Sequence, residues 1–270
     1  MIFQLFVNIL ISQTKAKYYF FFELLYLQFI RLLKKDKYYN PAPLVSIIIA
    51  TYNRSSILIN RTLPSVLAQT YTNIEVIIIG DHCIDNTPEM LKNFPDKRVH
   101  FFDLAKRGKY PKDIKDRWFV QGAIPRNMGM KIAKGEWFVF ISDDDIIYPH
   151  HIDKLLKAAI SKKVEFISAA YDTIKDGKKL IVQPEAFHNN NSFIVGGMQT
   201  WLYRSYLKFF KWNVDAWRKN WDRPIDYDLQ VRFFNAGVRM GFINDIVFYS
   251  PPVEGTNTTG YQAALLADKK

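Results

Sequence analysis

Three consecutive aspartates, Asp143, Asp144 and Asp145, follow the apolar run Trp137–Ile141 and Ser142. Adjacent carboxylates repel one another, and each is costly to take out of water unpaired. A row of three at the end of a buried segment therefore calls for a cation. All-oxygen donors without cysteine select Mg2+ or Mn2+ over zinc, with substrate phosphates completing the coordination. The competing assignment is helix capping ahead of Pro149, since aspartate is favoured there. One residue meets that need; three exceed it. Two other polar clusters follow apolar runs in the same way. Thr51, Tyr52, Asn53 and Arg54 follow Leu44–Ala50, and Asp81, His82 and Asp85 follow Ile74–Ile79.

The elements that must position these clusters are legible in the pattern. Leu44–Ala50 and Ile74–Ile79 are short, β-branched and wholly apolar, as strands buried on both faces are. Helix is predicted over Ser56–Gln69, after Asp85-Asn86-Thr87-Pro88, and over Pro125–Lys134. Strands are predicted at Arg98–Phe102 and Trp137–Ile141. This alternation predicts an α/β fold with a doubly wound, mostly parallel sheet. Ligands of such sheets bind beyond the carboxyl ends of the strands, so one crevice should collect all three clusters. Asp103–Trp118 carries six basic and three acidic residues without periodicity and reads as a long loop. The second half is less regular. Helix is expected at Pro149–Ser161 and Asp226–Ala236, and strands at Val164–Ala169, Lys179–Gln183 and Arg239–Ile243. Phe187–Ser192 reads as an Asn-rich loop, and Thr256–Lys270 as a polar, mobile tail. The pattern predicts a basic amphipathic N-terminal segment (1–40), an α/β domain (41–250) and a polar C-terminal tail (251–270).

Composition narrows the function. With 270 residues, 49% hydrophobic and 23% charged, the chain suits one large α/β domain and is not a disordered one. A single cysteine, Cys83, excludes a disulfide scaffold and a Cys-rich zinc site and fits a reducing compartment. The balance of 37 Lys+Arg against 26 Asp+Glu gives +11, a charge that attracts nucleic acid, anionic lipid or phosphorylated small molecules. No basic helix, zinc motif or RNA-binding signature accompanies it, so no nucleic-acid partner is expected.

The first forty residues hold two apolar stretches, Phe3–Ile11 and Tyr18–Leu33, ahead of Lys34, Lys35 and Lys37. Neither reaches the ~20 uncharged residues of a spanning helix. No basic residue precedes Phe3 and no small-x-small cleavage site follows, which makes a poor secretory signal. At about 100° per residue, Lys17, Glu23, Gln28, Arg31, Lys34 and Lys35 fall within about 140° of one another. Of the apolar residues, Phe21, Leu25 and Ile30 lie outside that arc, while Phe20, Leu24 and Leu27 fall within it. Six basic residues (Lys15, Lys17, Arg31, Lys34, Lys35, Lys37) less two acidic ones (Glu23, Asp36) leave the segment at +4. Two readings stand: a helix lying on an anionic membrane surface, or one packed on its own domain or a second subunit.

The stretch VSIIIATYNR, the spacing to IEVIIIGDHCIDNT, and then IPRNMGMKIAKGEWFVFISDDD resemble glycosyltransferase family 2, inverting nucleotide-sugar transferases of GT-A fold. RPIDYDLQVRFFNAGVRMGFI is similar to the acidic-aromatic motif near that family's acceptor site. Together these pieces run from about Leu44 to Tyr249. The resemblance implies that Asp81 accepts the uracil N3–H and that Thr51, Tyr52, Asn53 and Arg54 line the base and ribose. It places Asp143 and Asp144 in the Asp-x-Asp region, with Asp144 the direct ligand of Mn2+ or Mg2+ and Asp143 its neighbour at metal and donor. Arg126 matches the arginine that reaches the donor; a structural ion pair in the crevice is its alternative. Asp226 matches the catalytic base. Its rivals are Asp222 and Asp228, although Asp228 is spaced for an i,i+4 ion pair with Arg232.

The chain departs from the family pattern at three points. Gly80 replaces the first Asp of the uracil motif, Ser142 the first Asp of Asp-x-Asp, and Ile225 a Glu that often precedes the base. His82, Cys83, His150 and His151 read as packing, turn or helix-start residues. Trp201, Trp212, Trp217 and Trp221 suit either sugar stacking or core packing. The resemblance implies transfer of a hexosyl or N-acetylhexosaminyl group from a UDP-sugar to a hydroxyl of a glycan or lipid-linked acceptor. Cell-envelope polysaccharide synthesis in the cytoplasm goes with it, and the lipid reading of residues 1–40 would set the protein peripherally on the inner membrane face. The alternative is a catalytically degenerate nucleotide-sugar-binding protein.

Overall fold

The computed structural model describes residues 21–33, 40–183, 196–218 and 224–267. The expected loop at Phe187–Ser192, the residues Trp221 and Asp222, and Lys15, Lys17, Lys34, Lys35 and Lys37 lie outside the described residues.

Helix α1 covers 21–33. The strands are β1 (Val45–Thr51), β2 (Ile74–Gly80), β3 (Val99–Asp103), β4 (Trp137–Ser142), β5 (Ile146–Ile147), β6 (Phe166–Lys175), β7 (Lys178–Val182), β8 (Leu202–Arg204) and β9 (Met240–Ser250). Helices α2 (Ser55–Ile57) and α3 (Leu63–Leu67) are joined by a π turn over Leu58–Thr62 into one helical segment. They are followed by α4 (Thr87–Lys92), α5 (Ile114–Val120), α6 (Ala123–Ile132), α7 (His151–Ser161), α8 (Ile225–Asn235) and α9 (Gly260–Ala267).

One sheet runs β3-β2-β1-β4-β8-β6-β9-β5, with β7 hairpinned onto β6. The first four strands are parallel, and the nearly unbroken apolar runs of β1, β2 and β4 suit burial on both faces. Register sets the level of their ends: Thr51 pairs with Gly80, Gly80 with Asp103, and Ala50 with Ser142. Each polar cluster therefore begins at the same edge of the sheet. Side chains alternate into two cores. Ile48, Ile77, Phe138 and Phe140 join α6 and α8 on one face, and Ile47, Ile49, Val76 and Val139 join α3 and α7 on the other. Gly129 lets α6 lie close on the sheet, since a β-carbon there would come within 2.5 Å of Ile48 Cγ2.

Four elements depart from the sequence expectation. Strands β5 and β8 are short and paired antiparallel, too brief for a pattern to announce them. Helix α5 interrupts the expected loop; the Asp113 carboxylate caps it by accepting the Asp116 N–H at 3.0 Å. Its Phe119 and Val120 are buried, and Tyr261 of α9 packs at a tilt against Trp118 with ring centroids 5.5 Å apart. The C-terminal segment thus carries a helix over Gly260–Ala267 rather than a plain polar tail, with Ala263 fully buried.

Helix α1 packs on the catalytic domain. Leu27 is wholly buried, Arg31 pairs with Glu165 at 2.5 Å, and Glu23 pairs with Arg232 of α8. Among the described residues no helix is long and apolar enough to cross a membrane.

His151 opens α7 wholly buried, its Nδ1–H donating to the Val247 carbonyl at 3.1 Å. Burial pushes the imidazole from 6.5 down to about 4. Between those values the unfolded chain binds a proton that the native one refuses, so this stability is present above pH 6.5 and lost as pH falls through about 4. The cost reaches roughly 3 kcal/mol. His151→Gln is expected to flatten the fall of Tm between neutral and acid pH. Equal slopes in parent and variant would assign the acid sensitivity elsewhere.

Candidate functional site

At the end of β1, the Thr51 carbonyl accepts the Asp81 N–H at 2.9 Å, which ties the first two clusters together. Asp81 is only 4% exposed, and one of its carboxylate oxygens accepts the Gly108 N–H at 2.9 Å. Tyr110 stands beside it; burial, and then the Asp81 charge, push the phenol well above its usual range. Asn53 adopts a left-handed φ of 54° and its side-chain oxygen accepts the Ile84 N–H at 2.9 Å. The Tyr52 ring lies under the Arg107 guanidinium, 3.4 Å from its carbon to the ring centroid. The 103–113 stretch thus folds back over the pocket and supplies Arg107, Gly108 and Tyr110. No sequence motif pointed to those residues. Asp85 turns away to brace the start of α4, accepting the Thr87 N–H at 3.1 Å.

Gly80 has a structural counterpart. A β-carbon at position 80 would lie 2.2 Å from Asp103 Oδ1. Asp103 ends β3 in register with Gly80 and accepts the Cys83 N–H at 3.1 Å. The space beside position 80 is filled by a carboxylate from the next strand. His82, two residues on, holds a left-handed φ of 62°, which glycine would accept more cheaply.

The three aspartates do not act alike. Asp143 accepts the Thr51 hydroxyl at 2.8 Å and faces the Arg54 guanidinium at 3.6 Å. Asp144 pairs with the same guanidinium at 2.5 Å. Asp145 turns inward, accepting the Gln199 amide at 2.7 Å; that amide nitrogen lies 3.0 Å from Ser142 Oγ. Burial pushes the Asp143 carboxyl up to about 6, with Arg54 opposing and Asp144 adding. Burial and then Asp144 push Asp145 up to about 8. Asp143 in turn holds the Arg54 proton more tightly. Two carboxylates thus converge on one cationic group at the crevice. The described residues contain no group of three or more His, Cys, Asp or Glu able to hold a metal ion. A pair of hard oxygen donors suits Mg2+ or Mn2+ sharing its shell with phosphates, and does not suit zinc.

Across the crevice, Asp226 sits at the second position of α8. The cap is Pro224, so Asp226 is not the helix N-cap, and its Oδ1 accepts the Tyr227 N–H at 2.9 Å. Burial raises its carboxyl above the usual range, opposed by the Tyr227 amide, Arg126 and the Met198 amide. Arg126, on α6, donates to the Gln121 carbonyl at 3.0 Å and lies over the Trp212 ring at 5.3 Å. Burial lowers its pKa, while Tyr110, Asp226 and Asp143 hold it up. Arg126 thus feels Tyr110, Asp143 and Asp226 together. Tyr171 is pushed up by burial and then by Asp226 and Asp145, which puts it at the same place. Asp228 is buried and bound to Arg232 at 3.3 Å, as its i,i+4 spacing predicts. Trp201 and Trp212 are core residues, stacked at 6.1 Å, and are not available to a sugar.

The sequence profile described as Glycosyl transferase family 2 matches residues 46–217. A relative from Escherichia coli, named UDP-Glc:alpha-D-GlcNAc-diphosphoundecaprenol beta-1,3-glucosyltransferase WfaP, is 35% identical over 133 residues, which is 49% of this chain and 48% of that protein. The chain spans less than half the length of the curated relatives it matches. Among solved structures, TarS residues 1–349 from S. aureus in complex with UDP-GlcNAc gives a TM-score of 0.58 at 19% identity, over 79% of this chain and 60% of that one. The mannosyltransferase PcManGT from Pyrobaculum calidifontis, with GDP-Man and Mn2+, gives 0.56 at 15% identity, over 92% and 69%.

Proposed function

Because the chain belongs to glycosyl transferase family 2, we propose that it is an inverting transferase that moves a hexosyl or N-acetylhexosaminyl group from a UDP-sugar to a hydroxyl of a glycan or lipid-linked acceptor. One observation carries this reading. The ends of β1, β2 and β4 bring Asp81, Thr51, Asp143 and Asp144 to one edge, and Arg126 feels both Asp143 there and Asp226 on α8. A donor pocket and a carboxylate suited to an acceptor are thereby set on one crevice. The UDP-GlcNAc of the TarS complex and the lipid-linked acceptor in the name of the E. coli relative support these substrate classes. One cysteine and a nucleotide-linked donor suit the cytoplasm, and envelope polysaccharide synthesis is the setting we assign.

In this mechanism Asp81 accepts the uracil imide N–H with the carboxylate oxygen that Gly108 leaves free. Thr51, Tyr52, Asn53 and Arg54 line the base, ribose and phosphates, and Arg126 adds positive charge on the donor side. Asp144 and Asp143 would hold Mn2+ or Mg2+, which when bound neutralises charge on the diphosphate leaving group. Asp226 takes the acceptor proton as the sugar carbon is attacked from the face opposite the diphosphate. Its raised pKa makes it a better base than an ordinary aspartate, and the acceptor hydroxyl must come within hydrogen-bond reach of it.

The test is a panel of UDP-, GDP- and dTDP-sugars with Mn2+ and Mg2+, scored for hydrolysis and transfer. Turnover of a UDP-sugar alone supports the reading. Tight UDP binding without turnover of any donor would identify a degenerate binding protein instead. For the nucleotide pocket, Asp81→Asn is expected to weaken UDP by ~1–3 kcal/mol, since the amide can present a donor to the imide donor. Unchanged affinity in calorimetry would remove Asp81 from base recognition.

A further inference from the structure

Helix α1 is docked with its charged residues inward and its large apolar residues outward. Glu23 is 2% exposed and Leu27 wholly buried, whereas Phe22, Leu25, Phe29 and Leu32 are 47–68% exposed. An amphipathic helix on a domain ordinarily does the reverse. Ion pairs explain the inversion. The Arg232 guanidinium grips the Glu23 carboxylate and also binds Asp228. Arg31 pairs with Glu165 and donates to the Gly237 carbonyl at 2.7 Å. Tyr26 adds an edge-on contact with Phe209, ring centroids 4.7 Å apart. With the polar side consumed by the domain, Phe21, Phe22, Leu25 and Phe29 form an open apolar depression on the outer side. A contiguous patch of this kind marks a surface that meets a partner.

We infer that the outward face of α1 is a docking surface for an anionic lipid bilayer. Charge decides between bilayer and protein. Glu23 and Arg31 are spent on the domain, which leaves Lys15, Lys17, Lys34, Lys35 and Lys37 against Asp36 in the sequence before and after the helix, a net +4. Cations flanking exposed Phe and Leu side chains complement a surface with anionic headgroups over hydrocarbon. A second copy of this chain meets the same face poorly. Both flanks of the helix are basic, so either orientation of a twofold contact sets lysines against lysines. The two sequence readings of this segment therefore combine: one side holds the domain and the other holds the lipid. The clamp also fixes α8, whose first turn carries Asp226, at a set distance from the bilayer. Six residues of helix, about 9 Å, separate Asp226 from Arg232.

The full-length protein is to be sedimented with vesicles of phosphatidylcholine alone and with added phosphatidylglycerol, at low and high salt. Binding is expected only to the anionic vesicles and is expected to weaken with salt. L25E/F29E places charge on two exposed positions that touch no ion pair of the clamp, and should lower partitioning at least tenfold while UDP affinity stays unchanged. Lys34→Gln with Lys35→Gln and Lys37→Gln, which lowers the net charge of these residues from +4 to +1, should weaken the salt dependence. Failure of the parent to bind anionic vesicles at low salt overturns the inference, as does parental binding by L25E/F29E. A parent dimer that L25E/F29E dissociates, with no vesicle binding by either, would make the face a self-interface and overturns it too. None of these readouts depends on catalytic turnover.

Discussion

Asp226→Asn is expected to bind UDP as the parent does and to turn over roughly 10²–10⁴ more slowly. Asparagine preserves shape and the acceptor that receives the Tyr227 N–H, so local structure should survive. What disappears is the proton acceptor. An N-cap role would predict a loss of stability instead, and Pro224 occupies that position. Burial holds the Asp226 pKa above 3.8, so the ionised base is present above that raised value and is lost as pH falls through it. The acid limb of kcat should therefore lie higher than for a solvated aspartate and vanish in the variant. A carboxylate whose native pKa is raised also destabilises the fold above that pKa. Asp226→Asn should thus raise Tm at neutral pH while it lowers turnover. Near-parental kcat would move the base to Asp222; Asp228, locked to Arg232, is not open to an acceptor.

Asp144→Ala is expected to cut transfer by roughly 10³ or more, the weight of several kcal/mol of charge stabilisation. It should also erase any gain in UDP affinity on adding Mn2+. Arg54 gives this test a contrast. Its guanidinium bridges Asp144 and Asp143, standing in for the positive charge the pair requires. Arg54→Gln should tighten Mn2+ binding without nucleotide by about tenfold, since one fixed cation no longer competes at short range. Calorimetry on the three proteins, with and without UDP, reads both effects. Full transfer in excess EDTA would mean that Arg54 alone neutralises the pair.

Much of this arrangement was legible in the sequence because it is local. The apolar runs that became β1, β2 and β4 carry their own evidence of burial, and register then fixed the level of Thr51, Gly80 and Ser142. The i,i+4 pair of Asp228 and Arg232 was legible for the same reason. Contacts between distant residues were not. Asp103 stands in for a side chain at position 80 only because β3 lies next to β2. Asp145 follows two crevice aspartates in sequence, yet Gln199 draws it inward. Helix α5 hid in a basic stretch whose buried residues, Phe119 and Val120, come only at its end. Helix α1 announced two faces, but not which one turns inward. That was decided by Glu165 and Arg232, far along the chain.

The clamp on α1 also has a timetable. Glu23 and Arg232 are 209 positions apart, so the helix is made long before its counter-ion exists. At about 5–20 residues per second, a ribosome needs roughly 10–40 s to cover that distance. During that interval Phe22, Leu25 and Phe29 stand on the nascent chain while the helix still lacks the ion pairs that orient it. The order of synthesis thus offers this helix to its surroundings first and to its own domain last.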